Sequence, residues 1–142
     1  MIRQATKEDI HIVVEMTKSM REDLGMDYED AYVVNLVVKA LKLAPCFLLL
    51  KDDRIIGMAG LSVSFCAFSN QATLTDYGFY IQPRHRSYGL FCGLINKVKD
   101  YSKEVGLPLR LNLQANISNK VREKLFKRHG FKVISMIGEY NE

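Results

Sequence analysis

The sequence predicts a single mixed α/β (α+β) domain, and three observations carry that expectation. Strand-like and helix-like spacings of apolar residues are interleaved along the chain. Cys46–Leu50 is an unbroken apolar run, as in a strand buried on both faces. Residues 73–114 read as strand, helix and strand, the unit that joins strands of one sheet by a crossover. A length of 142 residues suits one domain over 1–142 with a real core. With 48% hydrophobic and 25% charged residues, the chain is ordinary for a folded protein and unlike a disordered one.

Met1–Ala5 is expected as a short strand. Thr6-Lys7-Glu8-Asp9 then offers a capping oxygen and early acidic charge for a helix. Ile10, Val13, Val14, Thr17 and Met20 (or the nearby Met16) form its apolar stripe, and Gly25 stops it. The acidic turn Asp27–Asp30 leads into a second helix with Val33, Val34, Val37, Val38 and Leu41 on one side, closed by Pro45. After the Cys46–Leu50 strand, Lys51–Arg54 is a polar hairpin turn and Ile55–Phe65 resumes as strand. A loop at Ala67–Gln71 precedes the strand Thr73–Ile81.

Tyr80–Leu94, YIQPRHRSYGLFCGL, is the most informative stretch. Pro83 lacks a backbone N–H and ends ladder pairing. Arg84, His85 and Arg86 place positive charge at the turn, and Gly89 lets backbone approach a ligand closely. From Leu90 and Phe91 to Val105, apolar residues recur at helical spacing, with Gly106 as the C-terminal cap. The unpaired amides of such a helix start make a phosphate cradle; the plain alternative is a solvated basic turn. Leu109, Leu111 and Leu113 alternate with polar residues, a half-buried strand up to Gln114. Asn116–Asn119 breaks the pattern, Val121, Leu125 and Phe126 mark a short helix ending at Gly130, and Phe131–Tyr140 is expected as the final strand.

Net charge is +4, which suits an anionic small molecule at least as well as nucleic acid. The absence of helix-turn-helix spacing and of aromatic RNA-binding motifs argues against the latter. Cys46, Cys66 and Cys92 are scattered and odd in number, so neither a disulfide framework nor a metal site is expected. No stretch approaches the roughly 20 apolar residues that span a membrane, and the first residues lack a signal-peptide core, so the cytoplasm is the expected compartment.

The order of elements and two motifs resemble the GNAT-type N-acetyltransferase superfamily along nearly the whole chain. The first is the acyl-CoA pyrophosphate loop, Q/R-x-x-G-x-G/A after an apolar-x-Pro strand end. It stands here as Ile81-Gln82-Pro83 and Arg86-Ser87-Tyr88-Gly89-Leu90-Phe91. Arg86 and Gly89 match, Phe91 replaces the usual small residue, and Ser87 replaces a frequent glycine. The second is N-x-x-A-x-x-L-Y-x-x-x-G-F, present as Asn119, Arg122, Leu125, Phe126, Gly130 and Phe131, with Arg122 for alanine and Phe126 for tyrosine.

The resemblance implies a mixed, mostly antiparallel twisted sheet flanked by about four helices. It also implies acetyl-CoA as co-substrate, with its pyrophosphate on the loop around Arg84, Arg86, Ser87, Tyr88, Gly89, Leu90 and Phe91. The pantetheine arm is expected between splayed strands ending near Ile81 and Leu113, against the main chain of Phe79, Tyr80 and Ile81, with Asn119 and Phe126 beside its far end. The reaction implied is direct acetyl transfer to a primary amine of a small molecule or protein. That amine must be neutral to attack, which calls for a general base.

By period-two alternation Leu74, Asp76, Gly78 and Tyr80 share a face, making Asp76 the first candidate base and Glu139 the second. The alternative for Asp76 is a carboxylate paired with a basic group on a neighbouring strand. Phe126 cannot protonate the departing thiolate as the family tyrosine does. A thiol of pKa about 8.5 leaves fairly well unaided, so two readings stay open: a slower enzyme, or an acyl-CoA-binding sensor without turnover. Asp23, Asp27, Glu29 and Asp30 are expected to attract a cationic acceptor or to be a solvated helix start. His129 reads as a helix-end cation. A homodimer is left open.

Overall fold

The computed structural model describes residues 1–65, 71–134 and 140. Their elements are β1 (Ile2–Gln4), α1 (Ile10–Asp23), α2 (Asp30–Leu43), β2 (Cys46–Lys51), β3 (Arg54–Phe65), β4 (Ala72–Ile81), α3 (Tyr88–Val105), β5 (Leu109–Arg110) and α4 (Asn119–Arg128). Short 3-10 turns at Lys7–Asp9 and Pro83–His85 precede α1 and α3. The strands form one sheet in chain order β1-β2-β3-β4-β5; the first three pairings are antiparallel and β4–β5 is parallel. The parallel step is the predicted crossover, made by α3.

The sheet separates two cores. Val13, Met20, Val33 and Val37 of α1 and α2 cluster with Cys46, Leu48, Met58 and Tyr80. Phe91, Leu94, Ile95 and Val98 of α3 cluster with Phe47, Leu49, Ala59 and Ile81 on the opposite face. Alternate residues of β2 thus serve opposite cores, which is why its sequence is apolar throughout. Leu94 and Ile95 are almost fully buried, and each such side chain contributes roughly 2 kcal/mol by removal from water.

One irregularity decides the geometry of the site. In the β3–β4 pairing Leu61 faces Asp76 and Gly60 faces Gly78, so Tyr77 is an extra residue, a β-bulge. Gly60 has no side chain where the Tyr77 ring packs: a Cβ there would lie 2.2 Å from a ring carbon. The bulge reverses the alternation along β4. Leu74 lies in the core under α3, whereas Tyr80 lies in the core under α1 and Gly78 faces Met20 of α1. Leu74, Asp76, Gly78 and Tyr80 therefore do not share one face.

Three expected elements differ. α3 begins at Tyr88, two residues earlier than its apolar stripe, because Ser87 caps it: the Ser87 Oγ accepts from the Leu90 amide at 3.2 Å. The expected strand to Gln114 pairs only through Leu109–Arg110, and Leu113 turns to a left-handed φ of 50°. Residues 131–134 are not in a strand, and the rest of the expected final strand, except Tyr140, lies outside the described residues, as does most of the loop expected at Ala67–Gln71.

Candidate acyl-coenzyme site

α3 begins in the open. No acceptor among the described residues takes the amides of Ser87, Tyr88 or Gly89, while Phe91 N–H already bonds the Ser87 carbonyl at 3.3 Å. Nothing lies within 4 Å of where a Cβ would stand on Gly89. Free N–H groups, the positive end of an 18-residue helix and clear space above them fit a phosphate group. Phe91 is 5% exposed and belongs to the core, so its bulk points away from this cradle. Tyr88 is half-buried against α4, with Lys124 and Arg128 5.0 and 5.5 Å from its ring centroid. The basic face of α4 is thereby turned toward the loop.

The three basic loop residues divide in their roles. Arg84 and His85 line a cavity of about 560 Å³ with Lys51, Asp52 and Arg54 of the β2–β3 turn. Arg86 points inward: its Nε donates to the Ile81 carbonyl at 2.7 Å and its Nη2 meets Asp23 Oδ2 at 2.6 Å. The guanidinium also lies 5.6 Å from the Tyr80 ring centroid. Arg86 therefore braces the end of α1 against the loop, a use of its charge that the sequence motif does not reveal.

Beyond Thr75–Arg110 the β4–β5 ladder stops. Phe79 N–H bonds the Gln114 carbonyl at 2.8 Å, and Gln82 N–H bonds Ile56 of β3 at 2.8 Å. By alternation, Ile81 turns its main chain to the edge facing away from β3, where its carbonyl takes Arg86. Of the main-chain groups expected to hold a pantetheine arm, the Phe79 amide is already engaged and the Phe79 side chain is core; the Ile81 amide faces the open edge.

Asp76 is 4% exposed and lies where the ladder breaks. Its Oδ1 accepts from Asn112 N–H at 2.7 Å and its Oδ2 from Gln114 N–H at 3.2 Å. No basic side chain pairs with it among the described residues. Burial pushes its carboxyl above the usual carboxylate range, and the amides of Asn112 and Gln114 pull it back in part. Both oxygens are held by the main chain, so Asp76 fixes residues 112–114, and the expected base role would fall to a carboxylate already bonded to two amides. Glu139 lies outside the described residues.

Arg122, read from sequence only as a departure from alanine, holds the same segment from its other side. Nε donates to the Leu113 carbonyl at 3.2 Å, Nη2 to the Ala115 carbonyl at 3.1 Å and Nη1 to Asn119 Oδ1 at 2.7 Å. Asn119, expected beside the cofactor, has its side-chain oxygen committed to Arg122. Phe126 packs against Phe131 with ring centroids 5.7 Å apart and brings no hydroxyl to the site. His129 is 8% exposed, and burial, with Lys99 and Arg128 nearby, pushes its pKa down. The downward shift favours the neutral imidazole over the expected helix-end cation.

At the α1–α2 turn, Arg21, Asp27, Tyr28, Glu29 and Tyr32 line a cavity of about 340 Å³. Asp23 and Asp30 are paired with Arg86 and Lys18, leaving Asp27 and Glu29 without an ion-pair partner among the described residues. No described helix is long and apolar enough to cross a membrane, and no three metal-binding side chains cluster among the described residues. Cys46 and Cys92 are buried free thiols; burial pushes that of Cys46 up to about 12.

No curated protein matches the chain. Among solved structures, a predicted acetyltransferase with acetyl-CoA from Clostridium acetobutylicum is similar at TM-score 0.77 and 19% identity, over 99% of this chain and 95% of that one. An aminoglycoside antibiotic 6′-N-acetyltransferase from Acinetobacter haemolyticus is similar at TM-score 0.72 and 18% identity, over 100% and 97%. A ribosomal-protein-alanine N-acetyltransferase from Brucella melitensis biovar Abortus 2308 is similar at 0.71 and 17%, over 100% and 99%. At these identities the likeness speaks for the fold. The family itself is shown by sequence: the acetyltransferase (GNAT) family matches residues 11–131, spanning both α1 and the α3 cradle through the Gly130-Phe131 pair, and the chain belongs to it.

Proposed function

We propose that this protein is an N-acetyltransferase that binds acetyl-CoA at the start of α3 and acts on a cationic amine. The observation that carries the reading is the cradle itself: unclaimed amides at Ser87, Tyr88 and Gly89 under open space, with the Ile81 edge beside them. When bound, acetyl-CoA supplies an activated acetyl thioester. The chain's own part is to hold the pyrophosphate on the loop amides, to orient the pantetheine arm along the Ile81 edge, and to gather the acceptor.

The acceptor reading rests on the α1–α2 cavity, where Asp27 and Glu29, without ion-pair partners among the described residues, stand beside Tyr28 and beside Tyr32, whose ring Arg21 already covers at 5.5 Å. Similar structures include enzymes named for acting on aminoglycosides and on a ribosomal-protein alanine, both amine-bearing acceptors. The acceptor must lose a proton before attack. Because Asp76 is engaged by backbone amides, water at the cavity is the route we assign for that proton.

The test is a rise in melting temperature with acetyl-CoA, followed by amine-dependent release of free thiol across a panel of polyamines, aminoglycosides and N-terminal peptides. No rise would remove the reading. A rise without turnover on any amine would select the second reading, an acyl-CoA-binding module, which Phe126 at the tyrosine position favours.

A further inference from the structure

Asp76 and Arg122 grip one short segment from opposite sides, at the place where β4 and β5 part. The Asp76 carboxylate accepts from the amides of Asn112 and Gln114. The Arg122 guanidinium donates to the carbonyls of Leu113 and Ala115. Between them Leu113, 1% exposed, sits at φ 50°, a conformation that is costly for any residue with a Cβ and persists only when its surroundings impose it. The left-handed residue makes the flanking amides converge on one anion, as in a backbone nest. A strand ladder would align these groups with a neighbouring strand; here two charged side chains take that role.

We propose that Asp76 and Arg122 are positioning residues that set the far wall of the acetyl-CoA cleft. Without the carboxylate, Asn112 and Gln114 lose their acceptors. Without the guanidinium, Leu113 is free to leave the left-handed region and Asn119 is released. In either case the wall opposite Ile81 shifts, and the cofactor loses a fixed slot while α3's cradle stays intact. The proposal rests on the acetyl-CoA reading, and the clamp has its own signature in the free protein.

Three variants test it: Arg122→Ala, which installs the side chain expected from the family motif, Arg122→Lys, and Asp76→Asn. In the free protein, amide hydrogen exchange of Asn112 and Gln114 is expected to be slow in the wild type and, in Asp76→Asn, at least tenfold faster at whichever of the two amides meets the new NH2 group, with α3 amides unchanged. By calorimetry, Arg122→Ala is expected to weaken acetyl-CoA binding at least tenfold. Arg122→Lys should recover little of it, since an ammonium cannot span two carbonyls and the Asn119 oxygen as a planar fork does. A role in stability alone would lower the melting temperature of the free variants and leave the Kd of their folded fraction at the wild-type value; that result overturns the proposal. So does wild-type exchange at Asn112 and Gln114 as fast as in exposed loops, a readout that holds even if Arg122→Ala fails to fold. A wild-type protein that binds no acetyl-CoA removes the functional reading and the cleft role together, which is distinct from a wild type that binds and an Arg122→Ala variant that binds equally well.

Discussion

Gly89 and Phe126 hold the two residue-level questions. Gly89 has open space above it and an unclaimed amide at the positive end of α3, so a side chain there would fill the volume a phosphate needs. Gly89→Trp is expected to abolish the acetyl-CoA-induced rise in melting temperature while leaving the free protein folded, because nothing in the fold touches that position. An unchanged rise would place the cofactor elsewhere. Phe126 lacks the hydroxyl that would protonate a departing thiolate. Phe126→Tyr is expected to raise kcat by roughly ten- to a hundredfold, at or below the low end of the range for a positioned general acid, since a thiol is already a fair leaving group. Stopped thiol-release kinetics at saturating acetyl-CoA measure it, and an unchanged kcat would mean that protonation was never limiting. Arg86 shows how a matched motif residue can hide its role. Its place in the loop is evident from the sequence, yet Asp23, 63 positions earlier, is what turns its charge inward.

At the scale of elements, α3 is the best-determined piece. Ser87 starts it through its Oγ, Gly106 ends it at φ 69°, and Leu94, Ile95 and Val98 bury one face. Ser87→Ala is expected to lower stability by about 1 kcal/mol, a fall in melting temperature of about 2–6 °C. A thermal scan in the absence of acetyl-CoA checks it; a change well under 1 °C would show that the cap is redundant. β4 carries the opposite lesson. Its composition marks it as a strand, but the side chains before and after Tyr77 serve different cores because Gly60, on another strand, leaves room for the extra residue. Period-two reasoning across a bulge puts Leu74 and Asp76 on one face with Gly78 and Tyr80, and no local signal in Thr73–Ile81 announces the bulge.

For the whole molecule, the first strand is tied to the first helix through Arg3 and Asp9, 2.8 Å apart, and Asp9 also accepts from the Thr6 amide at 2.8 Å. The Arg3 guanidinium, followed by the Thr6 bonds, holds the Asp9 carboxyl well below the usual carboxylate range. A depressed carboxylate binds its proton less readily when folded, so its stabilisation is full above about pH 4 and is lost as pH falls below that. The wild type is therefore expected to lose melting temperature steeply on acidification below pH 4, and Asp9→Asn to start lower at pH 7 with a shallower acid limb. Melting curves between pH 7 and pH 2.5 decide it; parallel limbs in the two proteins would show that other carboxylates dominate.

The order of strands and helices, the doubly buried β2, the crossover through α3 and the anion-ready start of that helix are all legible along the chain. Each of these is written in neighbouring residues, where spacing and capping act over a few positions. The partners of the charged residues around that cradle come from contacts distant in the chain. Asp76 meets Asn112 and Gln114, Arg86 meets Asp23, and Arg122 reaches back to Leu113 and Ala115. Those partners are set by a bulge in one strand and by the parting of two others, so the direction of each side chain depends on backbone geometry that its own neighbours do not encode.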